Sequence, residues 1–81
     1  MKKVNITELK SMLTKGVVKF QYTKKDGSVR TAVGTLKSDL IKKPMGGVSY
    51  PKEAGYTNYY DIEKGWWRAF AESKLIGVMD D

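Results

Sequence analysis

The sequence predicts a small, mainly β domain in which one short helix precedes five short antiparallel strands. Three observations carry this. A stretch near the N-terminus places apolar residues at helical spacing. From Val18 onward the apolar period drops to two. Glycine-bearing turns at Gly27 and Gly65 then separate alternating segments that are the right length to pair as hairpins.

The elements follow in order. Asn5 is placed to cap a helix over about residues 5–15, Glu8 three residues on completes a capping box, and Gly16 ends it. Ile6, Leu9, Met12 and Leu13 form one stripe, which is expected to pack on the open end of a sheet. Val18, Phe20 and Tyr22 alternate with Lys19 and Gln21, giving a half-buried strand over 17–23. Lys24-Lys25-Asp26-Gly27 reads as a turn in which Asp26 and Gly27 can both take a positive φ. The return strand covers 28–36, and Gly34 within it suggests a bulge or bend. Residues 37–57 hold two prolines and three glycines without any apolar period, so they read as an irregular loop, with room for a helical turn at 39–43. The second hairpin pairs strands at 58–62 and 66–71 around Glu63-Lys64-Gly65, and a last strand runs over 74–79. A helix followed by five short, bent strands fits an SH3-like or Sm-like barrel, because closure hides the edges that a flat sheet exposes.

Composition bounds what such a domain does. With 81 residues, the chain is expected to form a single domain over 1–81, stabilised by one compact core or by homo-oligomer formation. Cysteine and histidine are both absent, which removes disulfides, the usual zinc ligands and the commonest general base. No P-loop or nucleophile-elbow motif occurs, and Met45-Gly46-Gly47 reads as a flexible loop rather than a phosphate cradle. Asp61 and Glu63 alternate in sequence and could together hold Mg²⁺ through water, but they are better explained as flanking the turn, with Asp61 paired across the hairpin to Arg68. The expectation is therefore a non-enzymatic binding module without cofactor or metal. No apolar stretch has the length of a membrane span, and the expected location is the cytoplasm.

The run Val18-Lys19-Phe20-Gln21-Tyr22-Thr23-Lys24-Lys25-Asp26-Gly27, then Arg30, then Gly34-Thr35-Leu36, carries a further signal. With Tyr60-Asp61-Ile62-Glu63-Lys64 and Trp67-Arg68-Ala69-Phe70, it resembles a group of short phage and prophage proteins. They are classed as a second WYL-type family with an Sm-like SH3 β-barrel fold. The resemblance covers about residues 16–76, with the loop 37–57 matching poorly. It implies the barrel and a phage-like origin. It implies no catalytic residues, and binding of ligands or nucleic acid only by analogy of fold.

The net charge is +6, and residues 1–25 hold seven lysines against one glutamate. A basic front of this kind attracts polyanions. Lys19, Lys24, Lys25 and Arg30 are expected to form a basic stripe on the outer face of the first hairpin, joined by Lys42 and Lys43 from the loop. Tyr50, Tyr56, Tyr59 and Trp66 are the aromatic candidates for stacking bases; the family resemblance implies that Tyr60, Ile62 and Trp67 face inward, which leaves Tyr59 and Trp66 nearer solvent. The leading expectation is a nucleic acid or nucleotide partner. The competing one is a host protein that the domain inhibits or adapts, with the aromatic loop as anchor.

Overall fold

The computed structural model describes residues 1–42 and 54–79. Helix α1 spans Ile6–Lys15; the strands are β1 Val18–Thr23, β2 Val29–Thr35, β3 Tyr56–Asp61, β4 Trp66–Ala71 and β5 Leu75–Val78. Single 3₁₀ turns lie at Ser38–Leu40 and Glu72–Lys74. The strands form one antiparallel sheet in the order β4-β3-β2-β1-β5. This is the helix-plus-five-strand small β fold that the sequence predicts. β3 begins two residues earlier than expected, and the interval 37–57 contains the first 3₁₀ turn. Met45, Gly46 and Gly47 lie outside the described residues.

The capping box forms as the sequence requires. The Asn5 side chain accepts from the Glu8 amide at 2.8 Å. In return the Glu8 carboxylate accepts from the Asn5 amide. Leu9 and Leu13 are fully buried, with Ile6 and Met12 packed beside them. The helix end is tied to the sheet by the Thr35 hydroxyl, which lies at 2.8 Å from the Gly16 carbonyl and 3.2 Å from that of Leu13. These bonds satisfy carbonyls that a helix C-terminus leaves open.

Register assigns the faces, because directly opposed residues on antiparallel strands share a face. Phe20 opposes Ala32, Tyr22 opposes Arg30, and Tyr59 opposes Arg68. The core is aromatic: Phe20, Tyr22, Tyr59 and Phe70 meet at centroid distances of 4.8 to 6.2 Å. The Tyr22 and Tyr59 hydroxyls pair at 2.8 Å. Each buried phenol thereby has the polar partner that it needs inside the core.

Several expectations are corrected here. Tyr59 is 0% exposed and belongs to the core, whereas Ile62 is 38% exposed and sits in the turn. The parity of β3 is thus one residue off the expected one, and such a slip exchanges the faces of the whole strand. Tyr60 and Trp67 are buried as expected, but on the opposite side of the sheet, edge-to-face at 5.8 Å. Gly34 is not a bulge, since the β1–β2 register runs unbroken up to it and the β2–β3 register continues from it to Thr35; the irregularity falls between Gln21 and Tyr22 against β5. Asp26 does not take a positive φ. Only Gly27 does so in that turn, while the Asp26 carboxylate accepts from the Ser28 amide and hydroxyl.

Gly34 is there because a ring presses on it. A Cβ at this position would stand 2.5 Å from Cδ2 of Tyr59. Gly34→Ala should therefore cost about 1–3 kcal/mol, the usual range for overpacking. Equilibrium denaturation checks this, and a wild-type midpoint would show that the Tyr59 ring yields freely.

Candidate functional site

The first hairpin closes through Lys24 and Ser28, with the Gly27 amide donating to the Lys24 carbonyl at 3.0 Å. This turn places Lys24 and Lys25 at the tip, exposed. Tyr22 stacks on Phe70 at 4.8 Å, which brings β1 over β4. The hairpin tip therefore overhangs the end of β4. Between them lies a groove of about 240 Å³, lined by Thr23, Lys24, Lys25 and Gly27 on one side. Tyr56, Ala69, Phe70, Ala71 and Lys74 line the other. Ala69 and Ala71 are short, so among the described residues Tyr56, 36% exposed, is the aromatic ring at the rim.

Three lysines from two chain segments thus surround one small apolar floor. Lys74 reaches the groove because β5, which follows it directly, pairs Leu75 with Tyr22 on β1. Nothing in the local sequence around Lys74 signals this; only the long-range pairing of β1 with β5 does. The neighbouring carboxylates are engaged elsewhere. Asp26 is bonded to Ser28, and these hydrogen bonds hold it below the usual carboxylate range. Glu72 accepts from the Thr57 hydroxyl and pairs with Lys10 at 3.3 Å, and its pKa is lowered for the same reason, with the Thr57 bond as the largest cause.

The other candidates separate. Arg30 does not join the basic stripe. It shares the Tyr22 face and donates to Asp61 at 2.8 Å. Asp61 is fully buried and also lies 3.2 Å from Nε of Arg68, so the expected Asp61–Arg68 pair exists within a larger cluster. Its other oxygen accepts from the Lys64 amide at 3.0 Å. Glu63 lies in the turn, as the hairpin assignment expects. Next to this cluster, burial raises the Tyr59 phenol well above its ordinary pKa, which keeps it neutral. Lys19 opposes Val33, on the sheet face away from Tyr22. Lys42 is exposed beyond the first 3₁₀ turn, while Lys43 and Tyr50 lie outside the described residues. Trp66 is 45% exposed, but it opposes Asp61 at one end of the β3–β4 hairpin and Tyr56 opposes Ala71 at the other. At about 3.3 Å per residue the two rings stand too far apart for one platform. Among the described residues no group of three or more His, Cys, Asp or Glu side chains is placed to hold a metal ion, and no helix is long and apolar enough to cross a membrane.

Fold and topology define a small Sm-like barrel, and comparison with known proteins agrees. The model of the WYL_2 family, described as an Sm-like SH3 β-barrel fold, matches residues 6–76, and the chain belongs to that family. It is also similar to an uncharacterised 11.5 kDa protein from the Gp31–cd intergenic region of Enterobacteria phage T4. The two are 38% identical over 81 residues, covering 94% of this chain and 79% of the phage protein. No solved structure matches the chain.

Proposed function

We propose that this phage-type protein is a non-catalytic module that binds nucleic acid or a nucleotide in the groove between the first hairpin tip and the end of β4. The observation that carries this reading is the convergence of Lys24, Lys25 and Lys74 around a small apolar floor with Tyr56 at its rim. Ammonium groups neutralise phosphate, and an aromatic face stacks a base whatever its identity, at about 1–3 kcal/mol per base. If the protein is phage-encoded, its site of action is the host cytoplasm.

Replacing Lys24, Lys25 and Lys74 together with Gln should leave the fold intact, since all three are exposed. It should weaken binding of single-stranded oligonucleotides of any sequence and flatten the salt slope by about 0.7 per lost phosphate contact. Tyr56→Ala should weaken binding with little change of slope, because stacking releases few counterions. Absence of oligonucleotide and nucleotide binding at low salt contradicts the proposal. A second reading, an inhibitor or adaptor of a host protein, then takes over. It draws on Trp66 and Ile62, exposed together at the β3–β4 turn.

A further inference from the structure

We propose that the groove recognises a phosphomonoester on a single nucleotide unit, either a strand terminus or a free mononucleotide; this rests on the nucleotide-binding reading above. Charge is the first argument. Lys24, Lys25 and Lys74 line the groove, while the adjacent Asp26 and Glu72 carboxylates are turned to Ser28 and to Thr57 and Lys10. An internal phosphodiester brings one negative charge to these three cations. A monoester brings about 1.5 to 2 at neutral pH and a third acceptor oxygen. The monoester is the better match, and charge-assisted hydrogen bonds are the strong ones.

Size is the second argument. The groove holds about 240 Å³. Pockets that enclose a whole drug-sized ligand are usually larger. A groove of this size matches one base or one phosphorylated sugar. Among the described residues Tyr56 is the exposed ring of the groove, which matches one stacked base.

The same chemistry supplies a diagnostic pH dependence. The chain has no histidine and no cysteine, so apart from the α-amino group no protein group ordinarily titrates between about pH 5 and 8. Among the described residues, the charged or titratable groups around the groove are Lys24, Lys25 and Asp26 on the hairpin, Tyr56 on β3, and Glu72 and Lys74 in the 3₁₀ turn. Lys10 of α1 stands behind Glu72, and β4 contributes none from Ala69 to Ala71. Both carboxylates are held low by hydrogen bonds. The group that changes charge near pH 6 is the ligand's own second phosphate ionisation.

The test compares thymidine hexanucleotides with and without a terminal phosphate, together with thymidine monophosphate and thymidine, by calorimetric titration at about pH 7.5 and about pH 5. The phosphorylated hexamer should bind at least about tenfold tighter at the higher pH, and this ratio should collapse at the lower one. Taking the ratio cancels any titration of the protein common to both ligands. Lys74→Gln, with an unchanged thermal melt, should remove most of the advantage. Thymidine monophosphate binding as well as the phosphorylated hexamer identifies a free nucleotide as sufficient; weaker binding identifies a strand end, and either supports the assignment if thymidine itself is bound at least about tenfold more weakly. Equal binding of the two hexamers at the higher pH, or an advantage that survives Lys74→Gln, overturns it while leaving strand binding in place. If no nucleotide or oligonucleotide binds, the broader reading falls with it.

Discussion

Asp61→Ala is expected to remove much of the protein's stability, about 3–5 kcal/mol. The carboxylate is 0% exposed and faces two guanidiniums, Arg30 at 2.8 Å and Arg68 at 3.2 Å, while also accepting from the Lys64 amide. Removing it leaves the mostly buried Arg30 without a counter-charge and the turn without an acceptor. Breaking a buried pair in this way costs about 3–5 kcal/mol, against roughly 5–15 kcal/mol that holds a typical domain together. Arg68 is half exposed and its share is screened by solvent. The loss need not be permanent. Asp61→Leu combined with Arg30→Met removes both charges, and a buried pair replaced by apolar groups of similar volume is often neutral. The double variant should therefore recover part of the stability that Asp61→Leu alone loses. Thermal melts of the single and double variants decide, and additive losses would show that the pair is not coupled.

Phe20→Ala should be comparably severe. Its ring is fully buried and lies 5.1 Å from Tyr59, 5.5 Å from Phe70 and 6.0 Å from Tyr22, at the centre of the aromatic core. β1 also pairs on both sides, with β2 and β5, so the cavity opens in the middle of the sheet, where little can collapse into it. About 3–5 kcal/mol is the usual cost of truncating such a residue. Trp67→Ala should cost a similar amount through a different cluster, since Trp67 packs on Tyr60 away from that core. Denaturant titration of both variants is the check, and wild-type midpoints would contradict the packing.

Much of the architecture was legible because it is locally encoded. The capping residues Asn5 and Glu8, the alternation of Val18, Phe20 and Tyr22, and the glycines at 27 and 65 each act within a few residues of themselves. The face of β3 was not legible. The expectation followed the family-like pattern in setting Tyr60, Ile62 and Trp67 inward, which left Tyr59 outward. Asp61 is inside because Arg30, 31 residues away, neutralises it there, and a distant partner leaves no local signal. Since Tyr59 and Tyr60 are both buried, β3 also lacks the solvent face that an alternating pattern would reveal. The candidate site divides in the same way. Lys24, Lys25 and Tyr56 were identifiable as an exposed turn and a loop aromatic, whereas Lys74 joined them only through the pairing of β1 with β5.

The seam between β2 and β3 is short, with two opposed residue pairs, Gly34 with Asp61 and Thr35 with Tyr60. β1 with β2, and β3 with β4, each pair at six. The two hairpins are thus joined at one corner, and farther from it their spacing is maintained by side chains: the Tyr22–Phe70 stack and the paired tyrosine hydroxyls. Groove width is in consequence a matter of side-chain volume rather than of backbone ladder. A change of apolar bulk at the stacked Tyr22–Phe70 pair is therefore expected to resize the opening, while the ladders of the two hairpins, which do not depend on that stack, keep their register.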